Sequence, residues 1–136
     1  MLLVRGANYQ IDLDGGVARC RVWRRPDVDR ATGARFAEEL ADQFHTLASG
    51  AAQAMILDLH EAPPVNGPIT QAALGKILAV CEASALPIAL VSSDDPLQRM
   101  QLGRLARAHA PDWASVYDGR DDAERWVAKR RARPRL

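Results

Sequence analysis

Three histidines (His45, His60 and His109) and two cysteines (Cys20 and Cys81) are the side chains best suited to acid–base, nucleophilic or metal chemistry. His45 adjoins an apolar stripe and is expected to point outward. His109 falls near a helix end, where a cation complements the dipole. His60 directly follows Asp58-Leu59 at the carboxyl end of a strand, the end at which open α/β sheets place ligands. It is either a residue of such an edge or an ordinary solvent-facing histidine. No His-x-x-x-His pair or Cys–His cluster exists, so no metal site is indicated, and the two distant cysteines suit buried thiols rather than a disulfide framework. The chain also lacks a Gly-x-Ser-x-Gly elbow, a phosphate-binding Gly-x-x-x-x-Gly-Lys loop and a Gly-x-Gly-x-x-Gly fingerprint. Ser92-Ser93-Asp94-Asp95 has the composition of a helix cap. No catalytic set or cofactor is therefore expected.

Two places have the composition of a contact surface. At Asn66-Gly67-Pro68 a loop enters a helix, and the free amide groups of a helix start can receive a phosphate, a carboxylate or an acidic side chain. A plain proline-stiffened cap would look the same, and Thr70 is the nearby hydroxyl. The second place is the outer face of a hairpin, where Trp23 alternates outward with Arg19 and Arg21 and is followed by Arg24 and Arg25. Trp23 there is either a contact residue or one covered by a neighbouring segment.

The elements that must position these residues are legible from their periods. Tyr9, Ile11 and Leu13 alternate with polar residues up to Gly15-Gly16, and Ala18, Cys20 and Val22 alternate after it. A Gly-Gly loop provides the positive φ angles of a primed turn. Counting outward pairs Leu13 with Ala18, Ile11 with Cys20 and Tyr9 with Val22, and puts Asp12 opposite Arg19. Phe36, Leu40, Phe44 and Leu47 then recur at helical spacing, predicting a helix from about Arg30 to Ala48 capped by Asp29. Ala54–Leu59 is a short apolar strand of the kind covered on both faces. Pro68 opens a second helix carrying Leu74, Ile77, Leu78 and Cys81 inward. Pro87–Val91 is the next strand, Pro96 opens a helix through Leu97, Met100 and Leu105, and Ala114–Tyr117 is the last strand. Asp121-Asp122 opens a final helix with Ala123, Trp126 and Val127. The fold class is α/β: a mixed sheet of about five strands, an N-terminal hairpin followed by parallel β-α repeats, with about four helices.

At 136 residues the chain has room for one domain, and 48% hydrophobic with 26% charged residues argues against disorder. No apolar run reaches the roughly 18 residues of a membrane span, and Met-Leu-Leu-Val-Arg-Gly lacks a secretory apolar region, so a cytoplasmic location is expected. The net charge of +1 hides an asymmetry: five basic residues and no acid lie in 129–136, leaving 13 basic against 17 acidic residues in 1–128. An acidic body is unsuited to nucleic-acid binding. The division expected is a domain over 1–128 and a basic, disordered tail over 129–136.

Met55-Ile56-Leu57-Asp58-Leu59, followed seven residues later by a loop-to-helix junction, resembles the STAS domain, as do Pro87–Val91 and the closing Val116–Ala123 segment. That family includes bacterial anti-sigma-factor antagonists and cytosolic domains of sulfate transporters. In its antagonists the junction carries Asp-Ser-Ser/Thr-Gly, whose first serine a partner kinase phosphorylates. Laying Asp58-Leu59 on the family's Asp-Leu puts Asn66 on the aspartate, Gly67 on the phosphoacceptor, Pro68 on the next hydroxyl residue and Ile69 on the glycine. None of the four matches. The resemblance implies the fold and a partner-docking edge, and withdraws the phosphorylation switch. The expectation is a non-enzymatic regulatory module that contacts an anti-sigma factor, a kinase or a related protein through His60, Asn66, Gly67, Pro68 and Thr70, with Trp23, Arg19 and Arg21 as a second contact. A homodimer through the hairpin edge is left open. The alternative follows from a second resemblance, to small proteins similar to CRAL-TRIO lipid-transfer domains: a small apolar ligand held in a groove by the second and third helices.

Overall fold

A computed structural model describes residues 2–50, 52–62 and 67–131. The hairpin is formed by β2 (Tyr9–Asp14) and β3 (Val17–Trp23), with the register that charge and apolar alternation demand: Tyr9 opposite Val22, Ile11 opposite Cys20 and Leu13 opposite Ala18. Gly15 and Gly16 take φ angles of 58° and 82°, which identifies the primed turn and explains why both positions are glycine. Ahead of the hairpin lies a strand that its apolar, non-alternating sequence does not reveal, β1 (Leu2–Arg5). It adds antiparallel to β2 with a register irregularity between Leu2 and Val4. The sheet therefore has six strands rather than five, and β1 rather than β2 is its edge.

From β3 onward the strands are parallel. The chain runs through α1 (Arg30–Ala48), β4 (Ala54–Glu61), α2 (Pro68–Ala83), β5 (Ile88–Val91), α3 (Pro96–His109), β6 (Ala114–Tyr117) and α4 (Arg120–Arg131), and the strands stand in sheet order β1-β2-β3-β4-β5-β6. Each of the three crossovers steps to the next strand in the same direction. Connections of one hand taken in one direction put their helices on one face. Accordingly α1, α2 and α3 share a core with the strand residues Ile11, Cys20, Leu57 and Leu90, whose side chains point to that side. α4 lies instead on the opposite face, where Ala123 and Val127 pack on Val17, Ala54, Ile56, Ala89 and Val91. β4 and β5 are thus covered on both sides, which is why Ala54–Leu57 and Ile88–Val91 are continuously apolar while the hairpin alternates.

Two details differ from the sequence reading. In α3 the inward residues are Gln98, Leu102 and Ala106, while Leu97 and Met100 are about half exposed. Leu97 and Leu102 are five positions apart on a helix, which places them on different faces. α4 continues to Arg131, past the boundary expected at 128. The Arg130 guanidinium stacks over Trp113 at 4.6 Å and Trp126 at 5.3 Å, and donates to the Asp112 carbonyl. No helix among the described residues is long and apolar enough to cross a membrane.

Candidate functional site

The parallel arrangement brings the carboxyl ends of β3 and β4 and the amino ends of α1, α2 and α3 to one edge of the sheet, and the residues singled out by sequence gather there. His60 is the penultimate residue of β4 and is exposed, with its backbone N–H donating to Asp58 Oδ1 at 3.0 Å. The Asp58 carboxylate also accepts from Arg120 at 3.2 Å, tying the end of β4 to the start of α4. Gly67 is the residue before α2 and has φ 88° and ψ 152°, a region that essentially only glycine occupies. A serine at this position, the phosphoacceptor position of the STAS motif, would cost about 1–3 kcal/mol in backbone strain. Pro68 opens α2 and is exposed, and Thr70 is half-buried one turn in. Asn66, with the rest of 63–66, lies outside the described residues.

α3 enters the same edge through a parallel construction. Asp95 caps it by accepting from the Leu97 N–H at 2.9 Å, and Pro96 fills the first turn as Pro68 does in α2. Gln98 locks this corner. Its buried side-chain amide donates to the Leu59 carbonyl and accepts from the Ser93 N–H at 2.6 Å, so one side chain joins α3 to β4 and to the loop after β5. Beside it, the buried Ser92 hydroxyl accepts from Arg99 at 3.4 Å. The consequence for the surface is specific. With Gln98 turned inward, Leu97 and Met100 stand about half exposed, as does Ile69 in the first turn of α2. Sequence reading took Leu97 and Met100 as apolar residues of the third helix without assigning them to a surface, and gave Ile69 no contact role. The available signal was the split of the apolar residues of α3 between two faces.

The hairpin contact divides. Arg19 is engaged by the fold: its Nε and Nη2 each donate at 2.8 Å to Glu124 on α4. Those bonds, joined by one from Arg120, hold the Glu124 carboxyl below the usual carboxylate range and raise the Arg19 guanidinium. Arg19 is thus bound to α4, and Asp12 opposite it accepts instead from Gln10. The Arg21 guanidinium lies 5.3 Å over the Trp23 ring and is exposed, while Trp23 is half-buried and follows a register irregularity between β3 and β4. A wide surface hollow lies between them, Arg5, Arg24 and Glu61.

A partly open pocket lies under this edge. A cavity of about 420 Å³ opens between α1 and α2 over the ends of β3 and β4, with Trp23, Arg24 and Arg30 among its lining residues. This pocket is bordered by the first and second helices, whereas the groove expected from the sequence lay at the second and third. α2 and α3 instead meet closely, the His109 ring lying where a Cβ on Gly75 would fall.

The remaining reactive groups are structural. Burial pushes the Cys20 thiol up strongly and the Cys81 thiol up to about 12, leaving neither as a thiolate near neutral pH. Among the described residues no group of three or more His, Cys, Asp or Glu side chains is arranged to hold a metal ion. His45 and His109 are exposed on α1 and α3, away from one another along the chain and on separate helices.

Neither a protein-family model nor a curated protein matches this sequence. Among solved structures the chain is similar to the NMR structure of the protein TM1081, at 19% identity and a TM-score of 0.57, over 88% of this chain and 87% of that one. The likeness spans the sheet and its helices, and establishes an α/β fold that another chain adopts with little sequence in common.

Proposed function

We propose that this protein is a non-enzymatic regulatory module that docks another protein at the carboxyl edge of its sheet, where α2 and α3 begin. The observation that carries this reading is the exposure of Ile69, Leu97 and Met100 on the first turns of those two helices. Large apolar side chains at the starts of two helices, with the exposed polar residues His60, Asp94 and Asp95 at the same end of the sheet, have the make-up of an interface with an apolar centre and polar rim. The resemblance to STAS antagonists supplies the partner class, an anti-sigma factor or a related kinase, and the backbone angles of Gly67 support docking without phosphorylation. The experiment is affinity capture from the source organism with wild-type and Leu97→Asp/Met100→Asp baits, followed by binding of the purified partner. The partner should be lost with the variant, and its affinity should fall at least tenfold. Equal capture by both baits would move the interface away from this edge. The second reading, a binder of a small apolar molecule, is favoured by one observation of its own, the cavity between α1 and α2.

A further inference from the structure

Small side chains on both bordering helices help to leave the cavity open. Gly33, Ala34 and Ala37 on α1 and Thr70 and Ala73 on α2 line it beside the larger Phe36, Leu40, Leu74 and Ile77. Its floor is apolar, with Leu57 and Leu59 of β4 beneath it. A volume of about 420 Å³ lies within the range of small-molecule sites. Apolar walls of this extent give ordered water few partners, so the space suits a hydrocarbon better than a water cluster.

The lining is charged at one end only, and with one dominant sign. Arg24, Arg25 and Arg30 belong to it, against a single acid, Asp29. Asp29 is already engaged: its carboxylate caps α1 by accepting from the Thr32 N–H at 2.8 Å. Arg25 is paired with Asp27. Arg24 and Arg30 have no ion pair among the described residues, and they sit where β3 ends and α1 begins. A largely apolar pocket with the exposed, unpaired Arg24 and Arg30 at one end is complementary to a molecule with an apolar tail and an anionic head.

We propose that the α1–α2 cavity binds a medium-chain carboxylate, its hydrocarbon chain lying between the small residues of the two helices and its carboxylate held by Arg24 and Arg30. This rests on the second reading above and is independent of docking at the α2–α3 edge.

Trp23 makes the site directly observable, because it lines the cavity while Trp113 and Trp126 do not. The probe is 11-bromoundecanoate, whose bromine quenches indole fluorescence, with 11-bromoundecanol as the uncharged analogue. The wild-type protein should show saturable one-to-one quenching by the carboxylate, largely lost in Trp23→Phe. The alcohol should bind at least tenfold more weakly. Arg24→Glu/Arg30→Glu should weaken the carboxylate at least tenfold and the alcohol less than threefold. Filling the chamber with Ala37→Leu/Ala73→Leu should abolish binding of both, with folding checked by circular dichroism. Should that variant not fold, methyl shifts of Leu57, Leu59 and Ala73 in the wild type on adding the carboxylate report the same occupancy. Absence of saturable quenching, equal quenching in Trp23→Phe, equal affinity for acid and alcohol, or methyl shifts elsewhere would each overturn the proposal. Leu97→Asp/Met100→Asp should bind the probe as the wild type does, which separates a failure here from a failure of the docking edge.

Discussion

Arg19 and Glu124 show how a single ion pair can decide which face of a hairpin is available. In isolation the outward row Arg19, Arg21 and Trp23 is a uniform cationic and aromatic strip. Once α4 crosses the sheet, Glu124 takes Arg19 in a two-pronged contact and Arg120 joins it. Because the Glu124 carboxyl is held below its ordinary range in the folded state, it contributes stability at pH values above the unfolded pKa. That contribution is lost as pH falls through the lower, folded-state value. Glu124 is about one-third exposed, so the contact is worth about 1 kcal/mol or less. Glu124→Gln is therefore expected to melt below the wild type near pH 7, with the gap closing as pH falls below the usual glutamate range; melting curves from neutral to acid pH check it. A gap independent of pH would mean that shape rather than charge holds this corner. At the same scale, the conformation of Gly67 was not legible in the sequence. Glycine before a helix is consistent with several backbone states, and only the path taken from β4 into α2 selects one that excludes a side chain.

The elements themselves were largely legible. α1 occupies the span expected from its Phe and Leu spacing and the Asp29 cap, and β6 matches its expected bounds. The hairpin register followed from its turn, because a two-residue loop leaves one pairing that keeps the apolar residues together. β1 was not legible: four residues without alternation carry no period, and the strand exists through its hydrogen bonds to β2. α4 was misjudged at its end for a related reason. Lys129–Leu136 looks like a solvated basic tail because charge dominates its composition, yet the aliphatic stem and planar head of an arginine can cover aromatic rings. Arg130 does so over two of them. Ending the chain after Lys129 is accordingly expected to remove two stacking contacts of about 0.5–1 kcal/mol each, whereas ending it after Arg131 should not. Thermal melts of the two truncations should differ by about 3–8 °C, and coincident melts would show that Arg130 adds nothing to docking.

Across the whole molecule, protection should follow the layers. β4 and β5 lie in the middle of the sheet between α1, α2 and α3 on one side and α4 on the other, with Met55, Ile56, Leu57 and Leu90 fully buried. β1 is an edge whose Leu2 and Leu3 remain exposed. Amide hydrogen exchange is expected to be slowest in β4 and β5, close to global unfolding, and fastest among the strands in β1. Comparable protection in β1 would mean that its edge is covered in solution, for example by a second copy of the chain. The same layering sets the functional edge. One-directional crossovers collect three helix starts at one end of the sheet, so residues as distant as Asn8, Arg24, His60, Thr70 and Leu97 come to a common rim or its underlying cavity.

By itself the sequence determined the kind and order of the elements, the hairpin register and the parallel sense of the later strands, because these depend on local periods, turn residues and connection lengths. The tertiary structure decided what those elements leave open. Which side of α3 is buried, which arginine is taken by α4 and where two helices fail to fill the space between them depend on contacts between residues far apart in the chain. A surface or a cavity is the remainder after packing, and no local pattern encodes a remainder.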